Sequence, residues 1–267
     1  MLDVSIEAAA MAVLLVAGSM GRSLMAQAGP VPVKMMAAEA HPVFEVATIK
    51  PSDPNDRSEG FHSNGRRIYI ENQTVNKMLI FAYAVHSKQV VGGPDWFGTE
   101  RFDINGVPDV EGVPNMRQQQ EMVQKLLADR FGLKFHREKR ELAVYALTDA
   151  KAGPKLTKSQ GDPNGLGDQT GNGNMGEMTY KFTNNTMDDF ALCMQFYVDR
   201  PVVNQTGLTG RWDFVLKWTT NDLKAADPNA APGMFTAIQE QLGLKLEAVK
   251  APADVLVVDH AERPSAN

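Results

Sequence analysis

The sequence predicts an α+β fold built from two pseudo-repeats of about 110 residues, each with the element order β-α-β-β-α-β-β. Three observations support this prediction. Similar blocks recur in the same order about 111 residues apart. Helix-capping residues stand at matching positions, and apolar residues in each copy switch between helical and strand spacing. Strands and helices do not alternate strictly, so we expect the helices to pack on a mixed or antiparallel sheet.

The clearest matching block joins a strand to a helix. Residues 70–75 (IENQTV) match residues 182–187 (FTNNTM), and each block leads into apolar residues with helical spacing. Thr74 and Thr186 are the predicted N-caps, because a hydroxyl accepts a hydrogen bond from an orphan backbone N–H.

Further matches complete each copy. Val90 and Val91 match Val202 and Val203, and residues 101–103 (RFD) match 211–213 (RWD). Gly132 and Gly243 stand where left-handed glycines would end the second helix of each copy. Four strands are predicted beyond these glycines, at 133–136, 142–147, 244–247 and 255–258. The alternating strand at 43–50 has no counterpart in the second copy, and we expect it to pair with the final strand.

Five segments follow from these patterns: a signal peptide or N-terminal anchor at 1–28, a disordered segment at 29–42, the first repeat at 43–150, a Gly/Asn-rich linker at 151–176 and the second repeat at 177–267. The apolar run at 8–18 and the A-x-A pattern at 26–28 favour export. Asp3 and Glu7 precede the run in place of positive charge, which leaves a buried N-terminal helix or a later start at Met11 as alternatives. We expect a periplasmic or extracellular protein.

Composition excludes several classes of function. The net charge of −5 and a pI near 5.6 argue against nucleic-acid binding. A single cysteine, Cys193, excludes an intramolecular disulfide and any metal site with several cysteines. No apolar run of membrane-spanning length follows the N-terminus, so the mature chain is predicted to have no membrane span.

Motifs for catalysis are missing from the sequence. The five histidines lack zinc-ligand spacing, although His136 and His260 both follow strands and would meet if those strands were neighbours. Cys193 falls on the apolar side of a predicted helix, which indicates a buried hydrophobe more than a nucleophile. No G-x-S-x-G, S-x-x-K or phosphate-binding loop occurs. We therefore predict a protein that is not an enzyme and that uses no metal or cofactor.

The candidate interaction surface consists of six residues: Trp96, Phe97, Arg101, Asp103, Arg211 and Asp213. Adjacent aromatic residues after a turn can anchor an interface, and core packing is the alternative. The Arg/Asp pairs lie two apart on strands and so share a face, which gives either a polar binding stripe or ion-paired structural residues. Their presence in both copies favours the structural role.

The chain resembles a large uncharacterised family of exported proteins from soil bacteria, over nearly all of residues 43–267. The resemblance is carried by several segments: 44–52 (FEVATIKPS), 92–96 (GGPDW), 101–104 (RFDI), 126–131 (LLADRF), 153–156 (GPKL), 206–210 (TGLTG) and 257–260 (VVDH). Similar domains occur fused to membrane metallopeptidase sensors of the BlaR type, which implies an extracytoplasmic sensing or binding role. The resemblance brings no catalytic residues with it.

The functional hypothesis is a non-catalytic, extracytoplasmic binding module for an envelope protein or peptide, bound at a sheet edge or at the Trp96 turn. Two alternatives stay open. A large apolar pocket would favour a ligand-sensing ectodomain related to membrane peptidase sensors. A cleft with His136 or His260 beside a carboxylate, with a strongly shifted pKa, would favour a hydrolase whose site is assembled from distant residues.

Overall fold

The structure is a computed structural model that describes residues 34–174, 176–219 and 231–264. The predicted signal segment at 1–28 therefore lies outside the described residues. Within the described ranges, no helix combines the length and the apolar character needed to cross a membrane.

The described residues form a mixed α+β architecture, which confirms the predicted fold class. The four helices are α1 (Val75–Tyr83), α2 (Met116–Arg130), α3 (Met187–Met194) and α4 (Met234–Ala237). The strands are β1 (Phe44–Pro51), β2 (Gly60–Asn64), β3 (Arg67–Thr74), β4 (Val90–Gly92), β5 (Arg101–Pro108), β6 (Lys134–Asp149), β7 (Thr157–Lys158), β8 (Asp168–Asn174), β9 (Glu177–Asn185), β10 (Val202–Asn204), β11 (Trp212–Thr219) and β12 (Leu244–His260).

The described strands make three four-stranded sheets. Two outer sheets have the orders β1-β5-β3-β2 and β7-β11-β9-β8, and their strands pair antiparallel. The central sheet has the order β10-β6-β12-β4. In it, β6 and β12 pair antiparallel, while β10 runs parallel to β6 and β4 runs parallel to β12. Each short strand thus joins the long strand of the other half, which interlocks the two halves.

The expected pairing of the opening strand was wrong. β1 pairs with β5 and contributes Ile49 to the core of the first half. The final strand β12 pairs with β6 along most of its length and with β4 at Leu256–Val258, and β1 is not its neighbour.

The four strands predicted at 133–136, 142–147, 244–247 and 255–258 form two long strands instead. β6 and β12 pair continuously over most of their length, for example at Leu142 with Ala251 and at Arg137 with Leu256. The charged residues between the apolar patches stay in the ladder, because a half-exposed strand accepts polar side chains on its solvent face.

The Gly/Asn-rich segment at 151–176 is not only a linker, because β7 and β8 lie within it. A Cβ atom at Gly171 would lie 2.3 Å from the Tyr180 ring, and one at Gly173 would lie 2.3 Å from the Met178 sulfur. Side chains from β9 therefore cover β8 at positions where only glycine fits.

The described part of the segment expected to be disordered, residues 34–42, packs against α2. Met36 is buried, and Gln118 Nε2 donates to the Ala37 carbonyl at 2.7 Å. Met35 also pairs with Val113 as an isolated bridge. Gln118 is itself fully buried, so this bond satisfies an amide that would otherwise be desolvated without a partner.

The N-cap threonines and the helix-ending glycines predicted from the sequence are confirmed. Thr74 and Thr186 are N-caps whose hydroxyls accept from the backbone N–H of Lys77 and Asp189. Gly132 and Gly243 take the left-handed conformation, with φ of 58° and 65°. The helices pack on the sheets to give one core in each half, with a smaller cluster under the middle of the central sheet.

His86 lies where the turn after α1 meets the segment after α3. Its Nδ1 accepts from the Lys88 N–H at 3.1 Å, and its Nε2 lies 3.3 Å from the Val198 carbonyl. The neutral ring with its proton on Nε2 satisfies both contacts. Gln195 Nε2 adds a bond to the Ala84 carbonyl at 3.1 Å.

This junction makes stability depend on pH. Burial lowers the pKa of His86 below its usual value of 6.5. The unfolded chain therefore binds more protons as the pH falls below about 6.5, so the free energy of unfolding decreases there. We expect His86→Gln to flatten the dependence between pH 7.5 and 5.5 in urea unfolding curves. His62→Gln, at an exposed histidine, is the control. An unchanged slope in His86→Gln would contradict the assignment.

Candidate functional site

An open groove of about 620 Å³ lies between the helices and the edge of one outer sheet. It is lined by the end of α1, the start of α2, the end of α3 and the first residues of β8. Among the described residues, four exposed large apolar side chains border it: Met116, Leu166, Leu192 and Phe196. Exposed apolar groups gathered in one concave surface are typical of a binding site.

Local structure holds these side chains outward. Met116 begins α2 directly after the N-cap Asn115, and it is 61% exposed. Leu192 lies near the end of α3, and Phe196 lies in the 3-10 turn that continues it, with 54% exposure. Leu192 and Phe196 are four residues apart, so they share the helix face opposite the core residue Phe190.

Tyr180 and Tyr197 place a pair of hydrogen-bonded hydroxyl groups inside the groove. The Tyr180 and Tyr197 hydroxyl oxygens lie 2.6 Å apart, and the Tyr197 ring packs edge-on against Trp218. Burial and the bond to Tyr180 hold the pKa of Tyr197 well above its usual value, so the Tyr197 hydroxyl stays neutral. One hydroxyl donates to the other, so the second O–H proton is available to an acceptor on a ligand.

The rim of the groove is acidic at the start of β8. Asp168 and Asp189 lie there, and in the described part of the chain neither carboxylate has a lysine or arginine nitrogen within 4.0 Å. Asp189 accepts from the Thr186 N–H and hydroxyl at 2.9 and 2.8 Å, as a helix cap. Arg117 on the opposite side is occupied by Glu121 and the Ala38 carbonyl.

Trp96 and Phe97 do not lie at the groove. Their exposures are 8% and 2%, and a short 3-10 turn at Asp95–Gly98 folds both rings into the core of the first half. The Trp96 ring packs against Phe131 and lies under the Arg263 guanidinium. Trp96 and Phe97 therefore pack in the core, which was the alternative to an interaction surface.

The two predicted Arg/Asp pairs make the same contacts in both halves. In the first half, the Asn72 N–H donates to Asp103 Oδ1 at 2.9 Å, and Arg101 Nη1 donates to the Asn72 carbonyl at 2.7 Å. Asn72 has a φ of 54°, and its side-chain amide bonds the Asp56 carbonyl. The pair thus holds a left-handed asparagine in place on the neighbouring strand.

In the second half, the Asn184 N–H donates to Asp213 Oδ1 at 2.7 Å, and Arg211 Nη1 donates to the Asn184 carbonyl at 2.7 Å. Asn184 has a φ of 58°. Each aspartate satisfies a backbone N–H at a bulge, where the ladder cannot. These four charged residues lie outside the groove.

We expect Asp103→Ala and Asp213→Ala each to lower the free energy of unfolding by about 1–3 kcal/mol, because each leaves an asparagine N–H without its acceptor. Asp129→Ala, which removes only an exposed i,i+4 ion pair with Lys125, should cost about 0.5 kcal/mol or less. Urea unfolding of the three variants measures the difference. An equal decrease in the free energy of unfolding in all three variants would show that the hydrogen bonds to Asn72 and Asn184 do not stabilise the fold more than an exposed ion pair does.

His136 and His260 do not share a site. His136 Nδ1 lies 2.9 Å from Asp259 Oδ1, and His260 Nε2 lies 2.9 Å from Glu262 Oε1. His136 lies on the exposed surface of β6, away from the groove. No cluster of three metal-ligating side chains occurs among the described residues.

Cys193 lies beside the groove but is buried, and burial raises the pKa of its thiol to about 12. We therefore expect the folded protein to react with iodoacetamide at pH 8 at least about a hundredfold more slowly than the unfolded chain, since the thiolate is the reactive form. Intact mass before and after denaturation gives the rates. Rapid labelling of the folded protein would contradict the predicted protonation.

The comparisons with known proteins identify the family. Residues 76–261 match the model described as a protein of unknown function, DUF3738, and the chain belongs to this family. No curated protein and no solved structure matches the chain. The family description names no activity.

Sequence reasoning did not find the groove. Leu192 and Phe196 gave the available signal, because they stand at i,i+4 on the helix face opposite Phe190 and Met194. Met116 and Leu166 gave none, since they are isolated apolar residues in polar surroundings. Only the folded chain brings them together.

Proposed function

We propose that the chain is a non-catalytic, extracytoplasmic binding module that takes a protein or peptide of the cell envelope in the groove. The observation that carries this proposal is the gathering of Met116, Leu166, Leu192 and Phe196 around one concave surface. Leaving such groups in water is costly, and covering them by a partner recovers about 25 cal/mol per Å² of apolar area.

Export is part of the same proposal. The apolar run at 8–18 and the A-x-A pattern at 26–28 support it, as does the resemblance to exported proteins. The acidic rim of the groove and the negative net charge favour a peptide ligand over a nucleic acid.

We also propose that the two halves are repeats of one unit. The outer sheets share the order of their matching strands, and the Arg101/Asp103 and Arg211/Asp213 contacts repeat at Asn72 and Asn184. On this view Phe61 of β2 corresponds to Gln169 of β8, since they pair with the matching residues Ile70 and Phe182.

A ligand-sensing ectodomain is the second candidate, and one observation favours it. The Tyr180–Tyr197 pair places an O–H donor in a largely apolar groove whose volume falls within the range of small-molecule sites. A ligand of this class would be a neutral apolar molecule with one hydrogen-bond acceptor.

In-cell photo-cross-linking tests the main proposal. The photoreactive amino acid benzoylphenylalanine replaces Phe196 in the full-length, C-terminally tagged protein within its own host. We expect a discrete cross-linked envelope protein, with the attachment mapped to one short segment of it. The same probe at Val215, which is 51% exposed on the solvent face of β11, should give no such product.

Met116→Asp supplies the control within the groove. An aspartate in the first turn of α2 suits the helix dipole, so the variant should fold while its charge opposes an apolar partner. We expect the Phe196 cross-link to fall at least about tenfold. A cross-link that survives Met116→Asp, or appears equally from position 215, would contradict the groove as the site. A small molecule retained in native mass spectra, without a protein product, would favour the second candidate.

A further inference from the structure

We infer that the groove takes an extended segment of the partner, which adds as a fifth strand to β8 and places alternate apolar side chains against Leu192 and Phe196, with a lysine or arginine beside Asp168 and Asp189. The inference rests on the proposed function, because it names the chemistry and the mode of binding at the same groove.

The strand β8 has one free edge. This strand is the outermost of the sheet β7-β11-β9-β8, and residues 168–173 are exposed throughout. It pairs with β9 in an unbroken register, and its sequence (DQTGNGN) contains no lysine, proline or bulge. An edge strand leaves alternate N–H and C=O groups unpaired, and those devices normally protect it.

The free edge of β8 and the groove form one surface. Gln169 and Gly171 line the groove, and they pair with Phe182 and Tyr180 on the sheet face that packs against α3. Side chains alternate across a strand, so every second residue of an added strand would enter the groove on this face.

The edge strand β8 differs from β2, the edge strand of the other outer sheet. Phe61 of β2 stacks on Phe81 of α1 with ring centroids 4.3 Å apart, which fills the space between strand and helix. In β8 the residue in the same position of the sheet is Gln169, followed by Gly171 and Gly173. β8 therefore contributes no aromatic side chain of its own at this position. The Tyr180 ring of β9 lies over Gly171, and both residues line the groove.

Charge complementarity accounts for the lysine or arginine in the proposed segment. Asp168 and Asp189 lie at the end of the groove where β8 begins, and in the described residues neither has a lysine or arginine nitrogen within 4.0 Å. Asp168 Oδ2 accepts from the Thr170 hydroxyl at 3.3 Å, and Asp189 Oδ2 accepts from the Thr186 N–H at 2.9 Å. Gln169 and Asn185 connect the two positions: Asn185 Nδ2 donates to the Asp168 carbonyl, and Gln169 Nε2 donates to Asn185 Oδ1 and lies 3.5 Å from the Asp189 carbonyl. A cross-strand basic residue would pair with this end.

The test selects peptides and then examines their backbone. A phage library of eight-residue peptides is panned on the immobilised full-length protein, and the consensus peptide is synthesised with one N-methylated residue at each position in turn. We expect apolar residues at alternate positions and a basic residue at one end. N-methylation should weaken binding at least about tenfold at every second position and about twofold or less between them, as measured by fluorescence anisotropy.

Two matched comparisons locate the peptide. Asp168→Asn should weaken the consensus peptide about threefold, while Asp129→Asn on the exposed side of α2 should leave its affinity unchanged. In hydrogen exchange, amides of β8 should gain protection in the complex and those of β2 should not.

The outcomes separate the two proposals. Peptides that lose affinity with Met116→Asp but show no two-residue period on N-methylation overturn strand addition and leave the groove as the binding site. Peptides whose affinity ignores both Met116→Asp and Phe196→Asp overturn the groove as well. A library that enriches no peptide overturns the inference, and the in-cell cross-link from Phe196 then decides the proposed function alone.

Discussion

The long antiparallel pairing of β6 with β12 is the interaction on which the rest of the structure depends. At one end of this ladder, Phe135 and Val258 pair and pack against the core of the first half, and at the other end Leu147 and Leu246 pack against the core of the second. Each long strand therefore serves both cores. The parallel additions of β4 to β12 and of β10 to β6 complete this arrangement, because each carries a short strand of one half onto the long strand of the other. Neither half can bury its apolar face alone, so the two halves should unfold as one unit.

The groove arises where the two outer sheets differ. Both outer sheets place an edge strand beside a helix, but only the first closes the space with an aromatic stack, Phe61 on Phe81. The glycines of β8 accept the Tyr180 ring over their backbone, so the edge is covered from within by β9 and carries little side-chain bulk of its own. Such an edge keeps its hydrogen-bonding groups open, and its order depends on tight contacts to one neighbouring strand.

Local signals in the sequence could be predicted well, and long-range pairing could not. Thr74, Thr186, Gly132 and Gly243 act within a few residues of their own position, so the chain order alone identifies them.

The pairing of β1 with β5 depends on which sheet edge remains free, which the alternating pattern at 43–50 does not encode. The buried positions of Trp96 and Phe97 depend on a turn that folds them inward. The groove needs Met116 and Leu166 to meet across fifty residues of chain, a proximity that only the assembled sheets create.

Some features of the structure occur in both halves and others in only one half, and this difference helps to assign a structural or a functional role to each. The contacts of Asp103 with Asn72 and of Asp213 with Asn184 occur in both halves, and each one satisfies a backbone group at a bulge that the fold requires. The open edge of β8 and the exposed Phe196 occur together in one half, where they leave apolar surface and strand hydrogen-bonding groups in water. A feature that costs stability persists where it does something other than stabilise the fold. The groove beside β8 meets that condition, and the charged residues of the Arg/Asp pairs do not.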